Sequence, residues 1–154
     1  MKYLVSACLC GIKCRYDGGD NLIEEILALK ESGQALAVCP ELLGGLVCPR
    51  TPAELVQCGE EYRAYDQNGK NVDCQYRLGA EKTLAAARAF GAEKAILKAK
   101  SPSCGVGVIY DGTFSETLRK GNGITAQLLL DSGIQVVDEV AYLSELNEKG
   151  NGYA

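Results

Sequence analysis

Short apolar runs alternate along the chain with segments of helical periodicity. Four apolar runs of strand length predict β-strands, at residues 2–7, 35–39, 92–100 and 134–139. Apolar residues that recur at helical spacing predict α-helices at residues 20–32, 73–90 and 122–132, and a closing helix at 141–149. Asp20 or Asn21 is the predicted N-cap of the first helix, and Gly33 its predicted end. The alternation predicts an α/β fold: a Rossmann-like three-layer sandwich with a mostly parallel four-stranded sheet.

The segments between these elements predict smaller features. Residues 40–54 contain three of the four prolines and two adjacent glycines, which favours a structured loop. Residues 60–72 predict a hairpin that turns at Asn68-Gly69, and residues 106–117 predict a second hairpin. Residues 150–154 are expected to lack regular structure. We therefore expect a single α/β domain over residues 1–154 with small hairpin insertions.

Composition narrows the possible partners and the compartment. The net charge of −4 provides no basic field for binding long nucleic acid. No apolar stretch approaches the roughly 20 residues that cross a bilayer, and the N-terminal apolar patch is too short for a signal peptide. The sequence thus predicts a cytoplasmic protein that binds a small molecule and no membrane. It does not indicate an oligomeric state.

Cysteine usage then points to metal or redox chemistry. The eight cysteines make up about 5% of the chain, below the roughly 8–10% typical of a disulfide scaffold. In a reducing compartment, clustered cysteines more often bind metal or react than form disulfides. The chain has no histidine, which excludes mixed Cys/His zinc sites and any nucleophile activated by a histidine base.

Three cysteines that are distant in sequence follow predicted strands. Cys8 ends the first strand, Cys39 ends the second, and Cys104 follows the third by four residues. Ligands of open α/β sheets bind beyond the carboxyl ends of the strands, so these thiols are expected to meet at one edge. The alternative for any single cysteine is a small buried apolar residue, which fits Cys58 and Cys74 well.

The number of converging thiols suits a metal centre with an open position. A structural zinc site is normally closed by four ligands, and the sequence contains no Cys-x-x-Cys pair. A cubane iron–sulfur cluster held by three cysteines leaves one iron free to bind a substrate atom. Three more cysteines lie close to these in sequence: Cys10, Cys14 and Cys48. Each of them fits a fourth ligand, a resolving thiol or a packing residue.

Polar residues on the same loops are further candidates. Glu41 lies two residues after Cys39 and fits a general acid or base, or a carboxylate at a helix N-terminus. Ser101 and Ser103 fit hydrogen-bond donors to a ligand or a cluster sulfur, or caps of a turn. Asp17 fits a residue that orients a polar ligand, or one that forms an Asx turn.

Three stretches together resemble a known family. SACLCGIKCRYDGG (6–19), VCPELLGGLVCPRTPAE (38–54) and KAKSPSCGVGVIYDGTF (98–114) are similar to the three motifs of the TudS family. Its members are small iron–sulfur-dependent thiouracil desulfurases, and the resemblance covers essentially the whole chain. The sequence departs from the family pattern at Cys10 and Cys48, where leucine and threonine are expected.

The resemblance implies a ligand set and a reaction. Cys8, Cys39 and Cys104 match the family's ligands of a [4Fe-4S] cluster. Glu41 and Ser101 match residues with catalytic or substrate-binding roles, while Ser103 and Asp17 are candidate substrate-binding residues. The implied substrate is a thiolated pyrimidine, whose sulfur binds the open iron while Glu41 directs a water to the C=S carbon.

Two other classes of function stay open at this point. In an electron-transfer or sensing module, Cys10 or Cys14 would reach the fourth iron and seal the cluster. In a thiol redox protein or a zinc-stabilised binding domain, the same thiols would hold no cluster.

Overall fold

A computed structural model of the chain describes residues 1–151. Its strands, in chain order, are β1 (Tyr3–Ser6), β2 (Ala35–Val38), β3 (Ala53–Cys58), β4 (Glu61–Asp66), β5 (Lys94–Leu97), β6 (Val108–Tyr110), β7 (Leu118–Lys120) and β8 (Gln135–Asp138). Its α-helices are α1 (Glu24–Glu31), α2 (Pro40–Leu43), α3 (Asp73–Phe90), α4 (Ile124–Asp131) and α5 (Glu139–Asn151). No helix in this part of the chain is both long and apolar enough to span a bilayer.

The central sheet has the strand order β2-β1-β5-β8, and its pairings are all parallel. Successive strand residues point to opposite faces, so both faces bury apolar side chains. On one face, Val5 packs with Ile26 of α1 and Tyr142 of α5. On the other face, Leu4 packs with residues of α3 and α4, including Leu129. The predicted α/β three-layer sandwich is confirmed.

Helix α1 begins later than the sequence predicts. Its N-cap is Ile23, so the prediction of Asp20 or Asn21 is wrong. The amides of Asn21 and Ile23 donate to the carbonyls of Cys8 and Leu9, each at 2.9 Å. Those bonds hold the segment before the helix against the end of β1. A helix that started earlier could not make them.

A short helix lies where the sequence predicts a loop. Helix α2 packs on α3 through Gly44 and Gly79, and a Cβ added at Gly79 would lie 2.0 Å from the carbonyl oxygen of Pro40. Only glycine allows two backbones to approach this closely. The contact fixes the start of α2, and with it the position of Glu41 in the first turn.

The predicted hairpin turn at Asn68-Gly69 is present. The amide of Gly69 donates to the carbonyl of Asp66 at 2.9 Å, and Tyr65 pairs with Asn71 in an antiparallel bridge before the chain enters α3. A longer hairpin that the sequence does not predict pairs β3 with β4 around Gly59 and Glu60. The sequence pattern does not predict β3, because this strand contains polar residues and follows prolines. Strands β6 and β7 form the second predicted hairpin, with bounds shifted toward the C-terminus.

The C-terminal end is more regular than the sequence indicates. Helix α5 continues through Asn151, so residues 150 and 151 are helical where irregular structure is expected. Residues 152–154, for which the same prediction was made, lie outside the described residues.

Candidate metal centre

A cavity of about 520 Å³ opens at the carboxyl end of the central sheet. Cys8, Cys39 and Cys104 all line it. Cys8 lies in a 3₁₀ helix over Ala7–Cys10 that directly follows β1, and Cys39 connects β2 to α2. The ends of β1 and β2 therefore deliver two of the thiols, and the segment after β5 delivers the third.

The thiol of Cys14 links two of these cysteines. Cys14 is buried and lines the cavity, and its side chain hydrogen-bonds to those of Cys8 and Cys39. The bond from Cys14 lowers the pKa of Cys8 from 9.0 to about 7 and also lowers the pKa of Cys39. Because Cys14 keeps the shared proton, its own pKa is raised. Both candidate ligands therefore lose their protons more readily than an ordinary thiol does.

Cys104 has a different environment. Burial raises the pKa of its thiol, and Ser6 donates a hydrogen bond to its sulfur at 3.4 Å. The Ser6 oxygen also accepts the amide of Lys98 at 2.9 Å, which joins β1 to the segment after β5. Glu139 fixes the same segment by accepting the Ala99 amide at 2.8 Å. A neutral thiol at this depth becomes a thiolate when a cation offsets its burial.

Glu41 lies in a hydrogen-bonded group beside the thiols. Its carboxylate accepts a short hydrogen bond from the hydroxyl of Ser103 and pairs with Arg50 at 3.0 Å. The other end of the Arg50 guanidinium donates to the Cys14 carbonyl at 3.0 Å. Burial lowers the pKa of Arg50, but the acidic groups around it, Glu41 foremost, together raise the pKa above its usual value. The guanidinium of Arg50 therefore stays charged where it contacts Glu41.

Sequence reasoning missed Arg50, although the residue lies within the second motif. A signal was present, because a carboxylate placed beside buried thiols needs a compensating cation, and Arg50 follows Glu41 in the same loop.

The two serines occupy different positions. Ser101 lines the cavity, and its oxygen accepts the amide of Cys104 at 2.7 Å. Ser103 is fully buried, does not line the cavity, and lies 3.4 Å from Ser101, oxygen to oxygen. Ser101, Ser103 and Glu41 thus form a continuous chain of polar groups from the cavity to the carboxylate.

The remaining sequence candidates lie outside the cavity lining. Asp17 accepts the Gly19 amide at 2.9 Å in an Asx turn and pairs with Arg15, which does line the cavity. Cys48 donates to the carbonyl of Arg15 at 3.1 Å and so holds the first loop. Cys10 is buried outside the cavity lining. Cys58 and Cys74 are exposed, so the interpretation of these two as buried apolar residues is wrong.

The donor set suits a cluster better than a single ion. Within residues 1–151, no three His, Cys, Asp or Glu side chains are arranged to hold one metal ion. A cubane cluster is bound through different irons, so its ligands line a cavity instead of converging on one point. Three thiols around a cavity, two with lowered pKa values, fit such a group.

Comparisons with known proteins show the family to which the chain belongs. The uncharacterized protein YbbK of Bacillus subtilis (strain 168) is 44% identical over 151 residues, which cover 94% of this chain and 97% of the relative. A solved structure titled [4Fe-4S]-dependent thiouracil desulfidase TudS is similar with a TM-score of 0.85 and 42% identity, over 97% of both chains. Residues 3–141 match the family described as 2-thiouracil desulfurase. The resemblance carried by the three motifs is confirmed, and the chain belongs to the 2-thiouracil desulfurase family.

Proposed function

We propose that this protein removes sulfur from a thiolated pyrimidine with a [4Fe-4S] cluster held by Cys8, Cys39 and Cys104. The observation that carries the proposal is that these cysteines, from three separate segments, line one cavity together with Glu41 and Ser101. Membership of the 2-thiouracil desulfurase family and similarity to a [4Fe-4S]-dependent thiouracil desulfidase support it.

The bound cluster would supply an iron with an open position, which would bind the soft sulfur of a thiocarbonyl and so make the C=S carbon more electrophilic. The protein contributes the three thiolates. The lowered pKa values of Cys8 and Cys39 support this role, since a thiol must lose its proton to become a ligand.

Glu41 is the proposed general base. Its carboxylate takes one proton from the water as the C–O bond forms and the C=S double bond opens to a single bond. The C–S bond then breaks as the new hydroxyl loses its proton and becomes the carbonyl of the product. Both protons leave with the sulfur, so that water and thiocarbonyl give carbonyl and hydrogen sulfide. Arg50 and Ser103 hold the carboxylate in place from two sides. Their contacts support the role because an oriented base needs no reorganisation during the reaction.

Ser101 is the proposed donor to the pyrimidine ring. Its hydroxyl lies at the cavity wall, 3.4 Å from the oxygen of Ser103, which itself donates to Glu41, so an acceptor on the ring would take the Ser101 proton in place of Ser103. Ser103 and Asp17 take supporting roles in this proposal: Ser103 through Glu41, and Asp17 through Arg15 at the cavity wall.

The test is sulfide release from 2-thiouracil and 4-thiouracil by anaerobically reconstituted protein. We expect about four irons and four sulfides per chain in the wild type. Cys8→Ala, Cys39→Ala and Cys104→Ala each lose the cluster and the activity. Cys58→Ala is the matched control, because this exposed thiol lies away from the cavity and its loss spares both. Activity that survives any of the first three substitutions contradicts the ligand set.

Cys14 favours one second candidate, an electron-transfer or sensing module with a sealed cluster. Its buried thiol lines the same cavity as Cys8 and Cys39, which makes it a candidate for a fourth ligand. Cys14→Ala separates the two functions. An open cluster keeps its iron and desulfurase activity in this variant, whereas a sealed cluster gains an exchangeable iron, visible as a changed Mössbauer spectrum.

A further inference from the structure

The loop between β6 and β7, residues 111–117, reaches the cavity and is here called the cover loop. Phe114 and Glu116 of this loop line the cavity. The loop is closed by its own bonds: the Asp111 amide donates to the Thr117 carbonyl at 2.9 Å, and the Thr113 hydroxyl donates to the Asp111 carboxylate at 2.6 Å. It is therefore a preformed unit whose position depends on what attaches it to the rest of the fold.

One carboxylate makes that attachment. A single oxygen of Glu54 accepts the amide of Gly112 at 3.0 Å and the amide of Phe114 at 3.1 Å. Glu54 lies on β3 and itself lines the cavity. Hydrogen bonds to an ionised acceptor are about twice as strong as those between neutral groups. Glu54 thus fixes the tip of the cover loop to the cavity wall.

The backbone of the cover loop adopts conformations that need support from surrounding contacts. Phe114 and Glu116 have φ angles of 57° and 61°, a left-handed conformation that is uncommon for bulky side chains and persists when surrounding contacts impose it. Gly112 has a φ of 94°, and a Cβ there would lie 2.7 Å from the carbonyl oxygen of Leu55. The loop therefore lies directly against β3.

We propose that Glu54 is a positioning residue, which holds the cover loop so that Phe114 forms an aromatic wall for the planar ring of the substrate. This inference rests on the proposed function. A flat heterocycle bound by its sulfur needs a wall that fixes the plane of the ring, and an aromatic side chain provides one by stacking. Glu54 acts through the loop and not on the reacting atoms.

The first test separates the loop contact from the charge. Glu54→Ala removes the acceptor, whereas Glu54→Gln keeps an amide oxygen that both N–H groups can reach. Hydrogen exchange of a peptide covering the cover loop is measured on the reconstituted full chain. We expect exchange about tenfold faster or more in Glu54→Ala, and near the wild-type rate in Glu54→Gln.

The second test measures the effect on the reaction. We expect Glu54→Ala to lower kcat/KM for 2-thiouracil about tenfold, mainly through KM, and Glu54→Gln to restore most of it. Phe114→Ala lowers kcat/KM about tenfold by removing the wall, while Phe114→Tyr keeps the ring and the activity. Glu61→Ala is the control, since this exposed carboxylate lies at the far end of the same hairpin.

Three results overturn the proposal. Unchanged exchange in Glu54→Ala means that the carboxylate does not hold the loop. A loss of activity in Glu54→Gln equal to that in Glu54→Ala, with the loop still protected, means that the charge acts on the substrate directly. Full activity in Phe114→Ala means that the Phe114 side chain does not position the substrate ring. Failure of the proposed function is distinguishable, because the wild type itself then releases no sulfide.

Discussion

Replacing Cys14 by alanine is expected to raise the pKa of Cys8. The Cys14 side chain is the largest cause of the fall in that pKa from 9.0 to about 7, and burial opposes it. Without the Cys14 hydrogen bond the opposing effect of burial remains. The pKa of Cys8 should then return to the range of an ordinary thiol or above it.

The size of the effect follows from the same values. A fall in pKa from 9.0 to about 7 corresponds to about 3 kcal/mol in favour of the thiolate. At pH 7 about half of Cys8 is then thiolate, against about 1% for a thiol of pKa 9. Since the thiolate is the reacting form, alkylation of Cys8 at pH 7 should slow between about 10- and 50-fold in Cys14→Ala.

The assay is alkylation of the cluster-free protein by iodoacetamide under anaerobic conditions, followed by mass spectrometry of the Cys8 peptide between pH 5.5 and 9.5. The wild type should show a midpoint near 7, and Cys14→Ala a midpoint at least one unit higher. Exposed Cys58 in the same samples serves as the internal control for reagent and unfolding.

Cys14→Ser tests whether the hydrogen bond is the cause. A serine hydroxyl keeps a donor at this position, so the midpoint for Cys8 should lie between those of the wild type and Cys14→Ala. An identical midpoint in the wild type and Cys14→Ala would refute the reasoning, because the lowered pKa would then come from another source.

Two further substitutions test the framework of the site. Arg50→Met leaves Glu41 without its cation, and the two side chains of this pair are only 9% and 12% exposed. We therefore expect the free energy of unfolding, measured in urea, to fall by about 3 kcal/mol. Adding Glu41→Gln should recover part of this loss, because it removes the unpaired charge. Gly79→Ala should lower the Tm despite the better helix propensity of alanine, because the new Cβ would lie 2.0 Å from the Pro40 carbonyl oxygen; an unchanged or higher Tm in a thermal scan contradicts this.

The fold was predictable because its signals are local. The two central strands, β1 and β5, are short runs that are mostly apolar and buried, and α3 begins and ends at the predicted residues 73 and 90. Strand ends also indicate where loops meet, which is why Cys8, Cys39 and Cys104 could be expected at one cavity.

Other parts of the molecule depend on contacts between distant segments. The late start of α1 depends on amides that bond to residues 8 and 9, and α2 depends on glycines that face each other across two helices. Strand β3 is half polar because Glu54 faces the cavity and the cover loop. Neither periodicity nor propensity reports such pairings, since both describe neighbours along the chain.

The second motif shows how one segment supplies several roles. Residues 38–54 contain the proposed ligand Cys39, the proposed base Glu41, the cation Arg50 and the loop anchor Glu54. A helical turn places Glu41 beside the thiols, and the return of the loop brings Arg50 to within 3.0 Å of that carboxylate. Because the ion pair spans the loop, the position of the base and the path of the chain toward β3 are set together. A change that moves the loop is therefore expected to affect the general base and the aromatic wall at once.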